Sequence, residues 1–284
     1  MNDTSHIPPL NAAALLKRYG LRPEKKLGQN FLQDPRALER IVLAAGISRD
    51  DTVLEIGPGV GSLTRYLAAA ARRVVAVELD PDLIEPLQSV LEPYRNVQLV
   101  NADFLDLDLK EWVEQPGYLV VANIPYHITS AIFRHLLECQ SPPRRLVLTV
   151  QKEVAERICA GPGDYSLLAL SVQIYGETHI EAIVPASAFH PVPNVDSAIL
   201  RVEVYSEPRI PREHLTAFFH FIKAGFSQKR KTLRNSLSAG LHLSHVATEK
   251  LLAQAGIDPK RRAETVQIEE WLTLCENQAE GKTS

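Results

Sequence analysis

From about residue 50 to residue 205, the pattern of apolar and polar positions alternates between short β-rich runs and helical stretches. Five of the runs are dense in Val, Leu and Ile, as strands buried on both faces of a parallel sheet are. These five are Thr52–Ile56, Val74–Leu79, Val97–Val100, Tyr118–Ala122 and Arg145–Val150. Ser171–Tyr175 and Ala198–Tyr205 are predicted as two further strands. Strands that alternate with helices predict an α/β domain with a mostly parallel, seven-stranded sheet.

The connection between the last two predicted strands differs from the others. It contains Pro185, Pro191 and Pro193 and no long amphipathic stretch. Because proline interrupts helices, a crossover helix is not expected there. We therefore predict that these two strands form an antiparallel closing pair at the edge of the sheet.

After Tyr205 the strand signals stop, and residues 207–211 have the composition of a linker. Four helices are predicted beyond it, with Gly240 and Gly256 at helix ends. They are His214–Ser227, Lys229–Ala239, Ser244–Gln254 and Ile268–Glu276. The expected organisation is an N-terminal arm over residues 1–33 with one short helix (Leu10–Tyr19), an α/β domain over 34–207, and a small all-α domain over 208–284.

Composition narrows the class of protein. The chain has 284 residues, of which 45% are hydrophobic and 23% charged, as in ordinary globular proteins. No apolar run approaches the roughly 20 residues of a membrane span, and the first residues do not resemble a signal peptide. Three cysteines without a close pair and nine histidines without ligand spacing predict neither disulfides nor a metal site. We expect a cytoplasmic protein, and a monomer because no heptad pattern is present.

The charge is unevenly distributed along a chain whose net charge is −3. Between Arg209 and Arg234 there are seven basic residues and one acid, Glu213. A basic segment on an otherwise acidic chain can be a docking surface for nucleic acid, or simply a solvated helix face. Charge alone leaves both interpretations open.

A glycine turn follows the first predicted strand, in the sequence Glu55-Ile-Gly57-Pro-Gly59-Val-Gly61. Glycines permit a sharp turn and let the backbone approach a ligand closely, which indicates a nucleotide-type ligand. The spacing differs from the G-x-G-x-x-G of dinucleotide oxidoreductases, which disfavours that class. A tight strand–helix turn without a ligand is the alternative.

Acids near the ends of the next two strands strengthen the ligand interpretation. Glu78 lies near the end of the second strand, at an offset where an acid accepts both ribose hydroxyls of an adenosine. Asp103 follows the third strand and can accept from the exocyclic amine of adenine. Ligands bind beyond the carboxyl ends of such strands, so these acids are expected at one edge.

The fourth strand runs directly into Asn123-Ile124-Pro125-Tyr126. The segment resembles the (D/N)-x-P-(Y/F) motif of methyltransferases that modify a planar NH2 group. Such an exocyclic amine is a poor nucleophile, because its lone pair is delocalised into the ring. The side-chain oxygen of Asn123 and the carbonyl of Ile124 or Pro125 could accept from that amine and favour its attack on a methyl group, while Tyr126 could stack on the base. The alternative is a strand followed by a proline turn. Together with the glycine turn, Glu78 and Asp103, this segment makes the chain resemble class I (Rossmann-like) S-adenosylmethionine-dependent methyltransferases acting on nitrogen.

Two further segments resemble one family. Residues 25–32, Lys-Lys-Leu-Gly-Gln-Asn-Phe-Leu, and residues 189–197, Phe-His-Pro-Val-Pro-Asn-Val-Asp-Ser, are similar to segments of the rRNA adenine N6,N6-dimethyltransferases, with the small-subunit branch closest. The resemblance covers about residues 24–240. It implies that Asn30 and Leu32 close over the methionine end of the cofactor. Further implied cofactor contacts are Gly57 against the cofactor, Glu78 on the ribose, Asp103 on the adenine and Asn123 on both cofactor and target.

The same resemblance implies a substrate. Tyr126 and Phe189 would hold a flipped adenine by stacking. The expected reaction is the dimethylation of two adjacent adenosines in a hairpin loop near the 3′ end of small-subunit rRNA, within the small ribosomal subunit or its precursor. The cations expected along the RNA phosphates are Lys223, Lys229, Arg230, Lys231 and Arg234. Another amino-group methyltransferase, acting on large-subunit rRNA or DNA adenine, and a non-catalytic RNA-binding or transcription factor remain alternatives.

Overall fold

The structure is a computed structural model that describes residues 7–113 and 117–281. The strands in these ranges are β1 (Phe31–Leu32), β2 (Thr52–Ile56), β3 (Arg73–Glu78), β4 (Val97–Asn101), β5 (Leu119–Asn123), β6 (Arg145–Gln151), β7 (Gly176–Val184), β8 (Phe189–His190) and β9 (Ser197–Val204). The α-helices are α1 (Ala12–Arg18), α2 (Pro35–Ala45), α3 (Ser62–Ala70), α4 (Ile84–Leu91), α5 (Thr129–Leu137), α6 (Lys152–Ile158), α7 (Leu167–Gln173), α8 (Leu215–Gly225), α9 (Leu233–Leu241), α10 (His245–Gln254) and α11 (Ile268–Gly281).

A seven-stranded sheet has the order β4-β3-β2-β5-β6-β9-β7. The first five of these strands are mutually parallel, whereas β9 is antiparallel to β6. All five residues of β2 are buried, as the continuous apolar runs of the sequence predict for central parallel strands. The mostly parallel α/β sheet is therefore confirmed, and so is the position of its last two strands at one edge.

The predicted strand Ser171–Tyr175 is wrong, because most of this segment belongs to α7. The Ser166 hydroxyl accepts from the Ala169 N–H at 3.1 Å and caps the helix, and the buried side chains recur at helical spacing. The strand lies instead at Gly176–Val184, where most side chains are at least partly exposed. An edge strand of this kind lacks the apolar density that reveals the buried strands.

The contacts between residues divide the chain into two units. One extends to Ala155 and includes Glu177–Val204, so it holds the seven-stranded sheet and the N-terminal arm. The other consists of Glu156–Gly176 together with the chain from Tyr205 onward. This division groups α7 with the C-terminal helices, whereas the predicted boundary at residue 208 places α7 in the α/β domain. The functional division into 1–33, 34–207 and 208–284 stays a prediction.

The second unit is helical, as predicted, but two details differ. Helix α9 begins at Leu233, so residues 229–231 lie in the turn before it. Gly240 lies inside α9, where a Cβ atom would come within 2.6 Å of the Ala224 Cβ. The glycine allows α8 and α9 to approach closely, and His242 takes the left-handed position after the helix instead.

Candidate functional site

The carboxyl ends of β2, β3, β4 and β5 meet at one edge of the sheet, because these four strands are parallel neighbours. A cavity of about 950 Å³, counting space open to solvent, lies at this edge. Of the predicted site residues, those that line it are Asn30, Leu32, Gly57, Glu78, Asp103, Asn123, Ile124, Pro125 and Tyr126. Residues that are far apart in sequence are thus brought together as the strand order requires.

The glycine turn after β2 shapes the floor of the cavity. Gly57 has a φ of 65°, and a Cβ atom there would meet no atom within 4 Å. At Gly59, with a φ of 59°, a Cβ atom would come within 2.8 Å of the Phe31 ring. Gly57 therefore leaves open space on the cavity side, whereas Gly59 admits the aromatic ring of the N-terminal loop.

Glu78, the last residue of β3, is held in place by backbone donors. Its Oε2 accepts from the Gly59 N–H at 2.8 Å and its Oε1 from the Asp80 N–H at 2.9 Å. Burial raises the pKa of this carboxyl, and the two backbone donors act in the opposite direction. Each oxygen retains a second lone pair, so the carboxylate can still accept from a ligand hydroxyl.

Asp103 lies just beyond β4, at the exposed rim of the cavity. Its Oδ1 accepts from the Leu105 N–H at 2.9 Å, which starts a short helical turn. The Asn101 side chain donates to the Glu78 carbonyl at 2.9 Å and fixes the ends of β3 and β4 relative to each other. Glu78 and Asp103 therefore lie at two strand ends that a hydrogen bond holds together.

Asn123 ends β5, and its amide is oriented by the N-terminal loop. Its Nδ2 donates to the carbonyl oxygen of Asn30 at 2.9 Å. With the nitrogen engaged, Oδ1 remains as an acceptor. The Pro125 carbonyl accepts from the Ile128 N–H at 3.4 Å, whereas the Ile124 carbonyl receives no hydrogen bond from any residue that the structure describes.

Tyr126 is anchored by its hydroxyl, which lies 2.7 Å from the hydroxyl of Ser197. Burial raises the pKa of the Tyr126 phenol, while the hydrogen bond with Ser197 acts against the shift. Ser197 belongs to the segment 189–197 that the sequence singles out, so two of the recognised motifs meet at this bond. The aromatic ring is thereby fixed at the cavity.

Phe189 occupies a different position from the other predicted residues. It lies in β8, paired antiparallel with β1 so that Phe189 is opposite Leu32. Its side chain is 2% exposed, within an apolar cluster that includes Leu32 and Val121, and it is not among the residues that line the cavity. Its stacking on a target base stays a prediction.

Several residues that line the cavity lie outside the predicted set, and Gln29 is one of them. Gln29 donates from Nε2 to Asp80 Oδ2 and accepts at Oε1 from the Glu24 N–H, at 2.6 and 2.7 Å. Asp80 is the residue whose N–H orients Glu78. The resemblance of residues 25–32 to a segment of the family is the signal that could have pointed to Gln29. The sequence does not show that Asp80 is its hydrogen-bond partner.

Glu55 also lines the cavity and is buried, with 1% of its surface exposed. Its Oε2 and the buried hydroxyl of Ser62 have no hydrogen-bond partner among the described residues. Burial raises the pKa of Glu55 to about 8; the nearby Thr64 hydroxyl acts against this shift, and the carboxylate of Glu78 adds to it. A carboxyl with such a pKa is largely protonated at neutral pH.

The predicted RNA-binding cations belong to the second unit and are described separately. Lys229, Arg230 and Lys231 are exposed in the turn between α8 and α9. Lys223 lies over the Phe219 ring, 6.0 Å from its centroid. Arg234 forms an ion pair with Glu249 at 2.7 Å, so part of its charge is already compensated. Their contact with RNA stays a prediction.

Within residues 7–113 and 117–281, no helix has the length and apolar character of a membrane span. In the same part of the chain, no group of three or more His, Cys, Asp or Glu side chains could hold a metal ion.

The family model and the curated relatives that match this sequence all belong to one group of ribosomal RNA methyltransferases. The family model described as ribosomal RNA adenine dimethylase matches residues 20–280. A curated relative from Alkaliphilus metalliredigens, named ribosomal RNA small subunit methyltransferase A, is 42% identical and covers 96% of this chain and 98% of its own length. One of the same name from Dehalococcoides mccartyi (strain CBDB1) is 44% identical over 94% of this chain and 93% of its own length.

Solved structures agree with the fold. A dimethyladenosine transferase from Plasmodium falciparum superposes with a TM-score of 0.72 at 27% identity, covering 88% of this chain and 98% of that one. The 23S rRNA methyltransferase ErmE superposes with a TM-score of 0.69 at 33% identity, covering 87% and 98%.

Proposed function

The chain belongs to the ribosomal RNA adenine dimethylase family, and on that premise we propose that it transfers methyl groups from S-adenosylmethionine to adenine N6 in ribosomal RNA. The names of its curated relatives favour the small subunit. The proposed target is two adjacent adenosines in the hairpin loop near the 3′ end of small-subunit rRNA, each receiving two methyl groups in the small subunit or its precursor. A cytoplasmic location follows from that substrate. The observation that carries the proposal is the Asn123 amide, oriented by the Asn30 carbonyl.

The residues of the cavity fit S-adenosylmethionine. Glu78 keeps one lone pair on each oxygen for the two ribose hydroxyls, and Asp103 offers a carboxylate to the adenine amine. Gly57 leaves room for close approach, and Asn30 and Leu32 also line the cavity. When bound, S-adenosylmethionine supplies an electrophilic methyl group on a positively charged sulfur.

The amine of the target adenine requires activation, because its lone pair is delocalised into the ring. Oδ1 of Asn123 and the carbonyl oxygen of Ile124 accept its two N–H groups and stabilise the positive charge that develops on N6. After each transfer the methylated N6 is cationic and loses a proton readily, so no strong base is needed. Pro125 shapes the turn that presents the Ile124 carbonyl.

The base must leave its stack to reach this point. The Tyr126 ring, fixed by its hydrogen bond with Ser197, provides a surface on which the adenine can stack. Lys223, Lys229, Arg230, Lys231 and Arg234 are proposed to contact phosphates of the folded RNA, which is recognised largely through its shape and backbone.

The test uses small ribosomal subunits isolated from cells that lack this methylation. They are incubated with the protein and methyl-labelled S-adenosylmethionine, and the rRNA is digested to nucleosides. We expect labelled N6,N6-dimethyladenosine from small-subunit rRNA. Large subunits are assayed in parallel, because the similarity to a 23S rRNA methyltransferase makes large-subunit rRNA the second candidate. Label there alone would overturn the proposed substrate, and cofactor binding without label would overturn the proposed catalysis.

A further inference from the structure

The N-terminal arm carries a dense group of exposed cations over residues 17–26. We refer to them as the arm cations: Lys17, Arg18, Arg22, Lys25 and Lys26. Glu24 is the single acid in this segment. The first two occupy the last turn of α1, and the last two lie in a short helical turn, Lys25–Leu27.

The arm cations have no ion-pair partner among the residues that the structure describes. Three arginines elsewhere in the same unit do form ion pairs: Arg144 pairs with Asp51, and Arg145 and Arg201 share Glu203. Within the described part of the arm, the Arg18 guanidinium lies over the neighbouring Tyr19 ring, 5.8 Å from its centroid. Among the described residues, none therefore neutralises the five positive charges.

Hydrogen bonds to the rest of the unit hold the arm beside the cavity. Arg65 donates from Nη1 to the Pro8 carbonyl at 2.8 Å, and Gln29 donates from Nε2 to Asp80 Oδ2 at 2.6 Å. Between these bonds, an apolar cluster packs α1 on the glycine turn and on the loop that lines the cavity. Its buried members are Ala12, Leu16, Phe31, Val60 and Leu83. The backbone that carries the arm cations is therefore held beside the cavity.

The distance to the cavity is short. Lys26 is the direct neighbour of Leu27, which lines the cavity, and consecutive Cα atoms are about 3.8 Å apart. An RNA strand whose adenine enters the cavity must carry its own phosphates past the mouth. The arm cations beside that mouth would neutralise those phosphates.

We infer that the arm cations bind the phosphates that flank the target adenosines, which makes the arm an RNA-binding surface in addition to a wall of the cofactor cavity. This inference rests on the proposed function, since it assigns the RNA partner of the same site. The partner is recognised by its phosphate charge and not by its bases. The arm cations are flexible side chains that carry hydrogen-bond donors but no acceptor, so they suit phosphate oxygens better than the mixed donors and acceptors of a base edge.

A matched pair of variants tests it. Arg18→Gln with Arg22→Gln removes two exposed arginine charges from the arm. Arg49→Gln with Arg95→Gln removes two exposed arginine charges, without an ion-pair partner in the described part of the chain, next to the amino ends of β2 and β4. The site lies at the carboxyl ends, so the control makes the same change in net charge at the opposite edge of the sheet. A second arm variant, Lys25→Gln with Lys26→Gln, samples the other half of the group.

We measure KM for small subunits at several salt concentrations, together with the Kd for S-adenosylmethionine. Both arm variants should raise KM on the order of tenfold near 0.15 M salt, and should reduce the slope of log affinity against log salt by about 0.7 per lost phosphate contact. Cofactor Kd and thermal stability should match those of the wild type, and the control should match it throughout.

The outcomes separate the inference from the function. If the wild type methylates small subunits and the arm variants behave as the control does, the inference is overturned while the function stands. An equal rise of KM in arm and control variants would also overturn it, because a general field effect would then suffice. If the wild type itself fails to methylate, the proposed function falls, and direct binding of the subunit by wild type and variants still decides the role of the arm.

Discussion

Gln29 and Asp80 are joined by a hydrogen bond of 2.6 Å from Gln29 Nε2 to Asp80 Oδ2. The bond connects the N-terminal loop to the residue whose N–H orients Glu78, the proposed ribose ligand. On the other side of the cavity, the Asn30 carbonyl orients Asn123. One short loop therefore sets the geometry of both the proposed cofactor ligand and the proposed catalytic amide.

Gln29→Glu should weaken cofactor binding, because a second carboxylate would face Asp80 where a donor now stands. We expect the Kd for S-adenosylmethionine to rise on the order of tenfold, in keeping with the loss of a hydrogen bond to a charged group. Adding Asp80→Asn should restore most of the affinity, since the new amide can donate to the introduced carboxylate while still accepting from the Asp82 N–H as Asp80 does. Calorimetric titration of both variants decides: no rescue in the double variant would refute this role of the hydrogen bond between the two side chains.

Asn123→Ala should leave the fold and much of the cofactor affinity in place but lower the single-turnover rate of methyl transfer about 10²–10³-fold, by analogy with the loss of one preorganised group in an oxyanion site. The reason is that the alanine offers no Oδ1 to the target amine. The rate is measured by quenched incubation with saturating small subunits, and circular dichroism checks the fold. Turnover like that of the wild type would disprove the assigned role.

Gly59→Ala should displace the Phe31 ring, because the new Cβ would lie 2.8 Å from two of its carbons. The N-terminal loop would move with it, and we expect cofactor Kd to rise on the order of tenfold or more. Gly20→Ala is the matched control: its φ of 71° is also left-handed, but a Cβ there meets nothing within 4 Å. Both substitutions carry a backbone cost of about 1–2 kcal/mol, so equal cofactor affinity in the two variants would show that the ring contact is unimportant.

Glu55→Gln should change how stability depends on pH. The Glu55 pKa is raised from its ordinary 4.5 to about 8 by burial and by Glu78. Between these values the folded chain keeps a proton that the unfolded chain has lost, so the contribution of Glu55 to the free energy of unfolding falls as pH rises, and levels off above about 8. Below about 4.5 both states are protonated and the contribution is constant.

The measurement is urea unfolding of wild type and variant at several pH values between about 5 and 8. The wild type should lose stability relative to Glu55→Gln across this window. Glu92→Gln, at an exposed carboxyl, serves as the control and should track the wild type. Parallel curves for Glu55→Gln and wild type would mean that Glu55 does not titrate there.

The sequence allowed the central strands and most of the site to be predicted, because both follow local rules. Strands such as β2 and β5 are apolar on both faces, and the acids and Asn123 follow directly at strand ends that the parallel order brings together. The edge strand β7 was missed, since its partly exposed side chains carry no such pattern and the adjacent α7 has strand-like residues.

Contacts between distant residues could not be predicted in the same way. Gln29 and Asp80 are separated by 51 positions, and no periodicity relates them. The placement of Phe189 against Leu32 depends likewise on the pairing of β1 with β8. Such pairings are set by the packing of the whole unit, which a pattern along the chain does not encode.

The pairing of β1 with β8 has a consequence for the order in which the protein is made. Leu32 leaves the ribosome early, but its partner Phe189 is synthesised only after the five parallel strands of the sheet. Because domains begin to fold while synthesis continues, the wall of the cavity that is translated first has to wait for a strand partner that is translated late. An enzyme that modifies ribosomes would thus be unable to complete its own cofactor site until the ribosome translating it has passed residue 190.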